Sequence, residues 1–275
     1  MAIKDVLMLL EPRDDKDVVA NFATSFAATM GAHLTAVGLA LELVPPASFM
    51  GDFPEDFVIE VSERARQQVN DAYQRFSRIA SASTQTELVT IQALAGDARD
   101  RFSQLARHFD LTIVGQKDPD SDFEEDAMAE AALFGSGRPV FIVPFVQTAA
   151  PKFGKALIAW DGGAQAARAI ADAMPLLTRA GRVEVVTIVD RRVDVSELPG
   201  FNITRHLARH GINAELHKLP GGTDPASILL SFAADTGADY LVMGGYGHSR
   251  LRQFALGGTT RTILQSMTLP VLMAH

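Results

Sequence analysis

The segment Met243-Gly-Gly-Tyr-Gly-His-Ser-Arg-Leu-Arg-Gln-Phe-Ala-Leu-Gly-Gly-Thr-Thr-Arg-Thr262 carries the strongest chemical signal in the chain. It follows an apolar run and leads into a helical pattern whose apolar face includes Ile263, Leu264 and Met267. Gly244, Gly245 and Gly247 would tolerate positive φ and let a ligand approach the main chain closely. Gly257 and Gly258 then open the helix, where unpaired N–H groups and the macrodipole favour an anion. Thr259 or Thr260 adds a hydroxyl donor, and Arg250, Arg252 and Arg261 add positive charge. The chemistry implied is phosphate binding. One Gly-x-x-Gly alone reads as a strand–helix turn; two clusters bracketing one loop favour a cradle. A Walker loop is excluded because no Gly-Lys-Ser/Thr follows, and neither half of the chain has the six-residue dinucleotide fingerprint in its first turn.

Other candidates are weaker. His206 and His210 stand at i, i+4, a spacing that could hold zinc, but no third ligand is evident and a surface pair is the better reading. Trp160, before Asp161, could stack on a base or fill a strand end, and His248 could touch a phosphate. Arg64, Arg66, Arg75 and Arg78 fall among Glu60, Glu63 and Asp71 and read as a solvated, ion-paired helix face. No catalytic constellation emerges. Asp161 beside a triphosphate could position Mg2+ or water, which leaves slow hydrolysis open, but no general base accompanies it.

Parallel α/β architecture would position these groups, because short β-branched and Leu-rich runs alternate with longer helical patterns. The first half predicts strands near 4–10, 33–40, 86–92, 111–115 and 139–143, with helices over 16–30, 55–82, 97–109 and 122–135. The second half predicts strands near 155–160, 183–189, 212–219, 239–243 and 270–273, with helices over 163–180, 200–210, 224–237 and 257–267.

The halves read as copies. Asp5-Val-Leu-Met-Leu-Leu10 answers Lys155-Ala-Leu-Ile-Ala-Trp160, and Leu111-Thr-Ile-Val-Gly115 answers Tyr240-Leu-Val-Met-Gly244. Arg138-Pro-Val-Phe-Ile-Val143 answers Leu269-Pro-Val-Leu-Met-Ala274. A tandem duplication, with an insertion after the first copy's second strand, explains the shifts in spacing. The expected domains are 1–149 and 150–275, each a doubly wound five-stranded parallel sheet of order 3-2-1-4-5. Ligands of such sheets bind beyond the carboxyl ends of the strands, where strand order reverses.

Charge divides unevenly over the 275 residues. Residues 1–150 hold 12 Lys+Arg against 23 Asp+Glu, a net of −11, whereas residues 151–275 hold 13 against 10, a net of +3. The second copy is therefore the better host for an anion. The overall net charge of −8 argues against broad binding to nucleic acid or anionic lipid. With no cysteine, disulfides and thiolate chemistry are excluded. Charge from Lys4 onward leaves no room for an export signal, and no apolar run approaches the roughly 20 residues of a membrane span, so a cytoplasmic protein is expected.

The spacing Gly244-x-x-Gly247, nine residues, then Gly257 resembles the ATP-binding signature of the universal stress protein family. Asp161 ending the first strand of copy two, Gly222-Thr-Asp-Pro-Ala226 before its third helix and the closing Leu269-Pro-Val-Leu-Met273 match as well. The chain thus resembles a tandem universal stress protein. The resemblance implies that Ala159, Trp160 and Asp161 hold the adenosine end of ATP and that Ile188 or Val189 packs near adenine or ribose. It implies that Met243, Gly244, Tyr246, Gly247, Gly257, Gly258 and Thr259 hold the phosphates, with Mg2+ as companion ion. Gly258 stands where the family's nucleotide binders usually have Ser or Thr, at a cost of about 0.5–1.5 kcal/mol for the lost hydrogen bond.

Copy one departs further. Its first strand runs into Glu11-Pro-Arg-Asp14, and Gly115 is followed by Asp118, Asp120, Asp122, Glu124, Glu125 and Asp126 without a second glycine. Such charges would repel a triphosphate, and the run reads as a solvated loop. The expected protein binds ATP in copy two and acts as a nucleotide-dependent signalling or protective module with unidentified protein partners. A scaffold without nucleotide and a weak ATPase are the rivals. The family's closing strands often pair, so Val140–Val143 and Val271–Met273 could form an intrachain pseudo-dimer, and homodimerisation beyond that is compatible.

Overall fold

The computed structural model describes residues 2–12, 17–42, 55–80, 85–94, 96–119, 125–147, 150–189, 202–222, 224–246 and 258–275. They form two compact units, Ile3–Ser136 and Gly137–His275.

In the first unit, β1 (Asp5–Leu9), α1 (Val18–Met30), β2 (His33–Glu42), α2 (Glu55–Ile79), β3 (Thr86–Leu94), α3 (Ala98–Ala106), β4 (Leu111–Gly115) and α4 (Glu125–Gly135) alternate as predicted. The strands pair in parallel in the order β3-β2-β1-β4. Val6–Leu9 and all of β4 are buried without interruption, the mark of parallel strands covered on both faces. Phe22 and Phe26 of α1 stack at 6.3 Å and, with Phe76 of α2 and Phe102 of α3, are fully buried.

The second unit contains β5 (Val140–Val143), β6 (Lys155–Ala159), α5 (Ala164–Leu177), β7 (Arg182–Val189), α6 (Ile203–Arg209), β8 (Ala214–Pro220), α7 (Pro225–Thr236), β9 (Tyr240–Gly244), α8 (Thr259–Ser266) and β10 (Val271–Ala274). Its parallel strands run β8-β7-β6-β9-β10, the 3-2-1-4-5 order. On the outer side of β10 lies β5, antiparallel, with Val271 opposite Ile142 and Met273 opposite Val140. The pairing expected of the two closing strands thus exists within one chain. The compact units divide at Ser136–Gly137, so β5 falls in the second unit.

α7 shows how local sequence sets an element. Asp224 accepts the N–H of Ala226, Pro225 occupies the first turn, and Gly237 ends the helix with φ 63°. Asp224, Pro225 and Ala226 therefore work as a helix start. Among the described residues, no helix is long and apolar enough to cross a membrane.

Candidate functional site

β6 lies between β7 and β9, so its carboxyl end is the point where strand order reverses. Five of the predicted residues meet at these strand ends. Ala159 closes β6 opposite Val186, Trp160 continues the ladder by donating its N–H to the Val186 carbonyl at 2.8 Å, and Asp161 turns the chain outward. The Asp161 carboxylate is exposed and accepts the Gly163 N–H through one oxygen, at 2.8 Å. Ile188 is half-buried and Val189 is 42 % exposed at the end of β7, so an apolar surface is left open there.

On the other side, β9 delivers Met243 and Gly244. The Met243 side chain is 6 % exposed and belongs to the core, so only its main chain could serve a ligand. Gly244 is required for a reason different from the expected one. A Cβ there would meet the Ala166 nitrogen at 2.6 Å and the Gln165 carbonyl carbon at 2.7 Å, so its absence lets the first turn of α5 lie against β9. Neither Gly244 nor Gly245 has positive φ; in this stretch Tyr246 takes the left-handed conformation, at φ 54°. Gly245 is buried and donates its N–H to the Ala274 carbonyl at 2.9 Å.

The strand end and the next helix start are tied together. The Tyr246 N–H donates to the Thr260 hydroxyl at 3.2 Å, and Thr260 is 5 % exposed. Thr260, named at first only as an alternative hydroxyl donor, is thus a pin between β9 and α8. Gly258 sits at the N-cap position of α8 with no side chain capping the helix, and Thr259 opens its first turn, half-buried. The Arg261 and Thr262 N–H groups donate to the Gly258 carbonyl at 2.9 and 3.2 Å, so only those of Thr259 and Thr260 are left without an intrahelical acceptor. Gly247, His248, Arg250, Arg252 and Gly257 lie outside the described residues.

The corresponding region of copy one is filled by its own side chains. Glu11 packs on Gly115, where a Cβ would fall 1.8 Å from its Oε1. Arg75 of α2 reaches over and donates to the Glu11 and Pro12 carbonyls at 3.3 and 2.9 Å, with Asp17 at 3.7 Å. Only a small cleft remains, lined by Leu9, Glu11, Asp17, Val19, Arg75 and Phe76 among others. Arg75 is therefore not part of the solvated face expected for it. Arg64 is, pairing with Glu60 at 2.8 Å. Periodicity could have flagged Arg75, which neighbours the buried Ala72 and Phe76. Likewise Glu125 is not in a solvated loop: it is 2 % exposed in the first turn of α4, 3.9 Å from Lys117. His206 and His210 stand exposed on α6 with ring centroids 4.9 Å apart.

Comparison with known proteins fits this geometry. The sequence profile of the universal stress protein family matches residues 152–275. A curated relative, the universal stress protein Slr1230 of Synechocystis, is 26 % identical over 192 residues, taking in 68 % of this chain and 65 % of its own length. Among solved structures, a universal stress protein from Archaeoglobus fulgidus superposes with TM-score 0.71 at 16 % identity, over 98 % of this chain and 95 % of that one. A functionally unknown protein from Pseudomonas aeruginosa PAO1 gives 0.60 at 19 % identity, over 99 % and 92 %. These identities show a shared fold. Residues 152–275 are therefore similar to a universal stress protein domain.

Proposed function

We propose that the second copy binds ATP at the carboxyl ends of β6, β7 and β9, and that occupancy biases contacts with a protein partner in the cytoplasm under stress. One observation carries the reading: the Tyr246–Thr260 bond brings the uncapped start of α8 to the end of β9. Trp160, Ile188 and Val189 offer apolar surface for a base, while the Thr259 and Thr260 N–H groups at the start of α8 suit phosphate oxygens. Asp161 keeps one carboxylate oxygen clear of its bond to Gly163, which suits a phosphate-bound Mg2+. Gly247 and Gly257 would complete the cradle, with Gly258 and Thr259 at the helix start. Copy one, its equivalent space taken by Glu11 and Arg75, binds no ATP in this reading.

Calorimetric titration of nucleotide-free protein with ATP and Mg2+ tests the proposal. One site per chain is expected, lost on replacing Gly247 by a bulky residue and weakened in Asp161→Ala. The rival scaffold reading draws on two facts: Gly258 has no hydroxyl, and the Thr260 hydroxyl is already engaged by Tyr246. Absence of binding would favour it, and phosphate release dependent on Asp161 would favour a weak ATPase.

A further inference from the structure

At the opposite, amino ends of the second unit's strands lies a polar cluster that phosphate binding does not use. Lys155 of β6, Arg182 and Glu184 of β7, and Glu215 and His217 of β8 all project from one sheet face. The register requires this, because Lys155 is paired with Arg182, Glu184 with Glu215, and Val186 with His217. Glu184 is 1 % exposed, an unusual place for a carboxylate.

Each carboxylate is clasped on one oxygen only. Arg182 Nε and Lys155 Nζ hold Glu184 Oε1 at 2.8 and 3.1 Å, and an Arg182 terminal nitrogen holds Glu215 Oε2 at 3.3 Å. Lys155 also donates to the Thr236 carbonyl at the end of α7, which covers this face. The remaining oxygens, Oε2 of Glu184 and Oε1 of Glu215, converge on His217 Nε2 at 3.6 and 3.8 Å. Both Glu184 oxygens and His217 Nε2 are buried without a well-formed hydrogen bond; Oε1 has its two ion-pair contacts, whereas Oε2 and Nε2 have only each other and Glu215 as polar neighbours among the described residues. Such orphaned atoms call for an occupant.

We propose that Glu184, Glu215 and His217 bind a divalent transition-metal ion of the zinc class. Their ligand atoms lie within 4.8 Å of one another. Ligands about 2.0–2.2 Å from tetrahedral zinc stand roughly 3.3–3.5 Å apart, so the two histidine–carboxylate gaps of 3.6 and 3.8 Å need close only slightly, and the exposed Glu215 side chain makes up the rest. The observed gaps are too long for hydrogen bonds and suit an ion between the atoms. Glu215, on edge strand β8 with its side chain 61 % exposed, is free to make that adjustment. Arg182 and Lys155 then act as outer partners that fix which oxygen faces the metal. Solvent reaches the site beside Glu215, leaving room for water as the fourth ligand.

The test uses the full chain stripped of metal by a chelator, with His206→Ala and His210→Ala removing the helical histidine pair. Calorimetric titration with zinc chloride, without nucleotide, should show one site per chain. His217→Gln and Glu215→Gln should each weaken it at least about tenfold with the far-UV circular dichroism unchanged. Cobalt should give four-coordinate absorption bands that His217→Gln abolishes. Both variants alter partly or fully exposed side chains, so the fold survives where Glu184→Gln could unfold it. No zinc heat and no cobalt bands, or binding indifferent to His217→Gln and Glu215→Gln, would overturn the proposal. ATP titration reads the other end of the strands and leaves it unaffected.

Discussion

Tyr240 carries its hydroxyl into the interior, where the oxygen is buried and has no hydrogen-bond partner. Burial, and next the charge of Asp239, raises its pKa above the ordinary 10.0. Its ring makes edge-on contacts with Phe141 and Phe153, each 6.2 Å away. Tyr240→Phe keeps those contacts and removes an unsatisfied group, so stability should stay level or rise by about 1 kcal/mol, read by urea denaturation. Gly244→Ala should do the reverse. The new methyl would meet main-chain atoms of α5 that cannot rotate away, and overpacking of that kind costs about 1–3 kcal/mol. A Gly244→Ala protein as stable as wild type would show that α5 can shift off β9. The sequence marks Gly244 as special through its spacing, but the neighbour that demands glycine is nearly 80 residues away in the chain.

Among the elements, α7 is the most legible, because its start and stop are written in adjacent residues. The Ser227 hydroxyl donates to Asp224, and this bond, with the Ser227 and Ala226 N–H groups, outweighs the opposing desolvation and lowers the Asp224 pKa below 3.8. A depressed carboxylate pKa contributes stability above the unfolded value, lost as pH falls through the folded one. The wild-type advantage over Asp224→Ala should therefore shrink as denaturation curves are taken from neutral pH to below 3.8. An advantage unchanged in acid would rule out the charged cap. The junction of β9 and α8 was legible only in part. Glycine spacing predicts a strand, a loop and a helix, but Thr260 as the pin depends on two ends meeting in space.

For the whole molecule, the two halves differ where chemistry is expected. Copy two leaves its strand-end surface open; in copy one Glu11 and Arg75 occupy the matching region. Titration with ATP should accordingly give one site per chain, and two would mean that Arg75 and Glu11 yield to the nucleotide. By itself the sequence determined the alternation of strands and helices, the glycine-rich segment and the charge difference between halves. These are properties of periodicity, composition and short-range spacing, which neighbours along the chain encode. Only the tertiary structure decided that Gly244 makes way for α5, that Arg75 turns inward, and that Glu184, Glu215 and His217 share one sheet face. Each of those depends on register and packing between segments far apart in the chain, where the energy of burial selects partners that local pattern does not name.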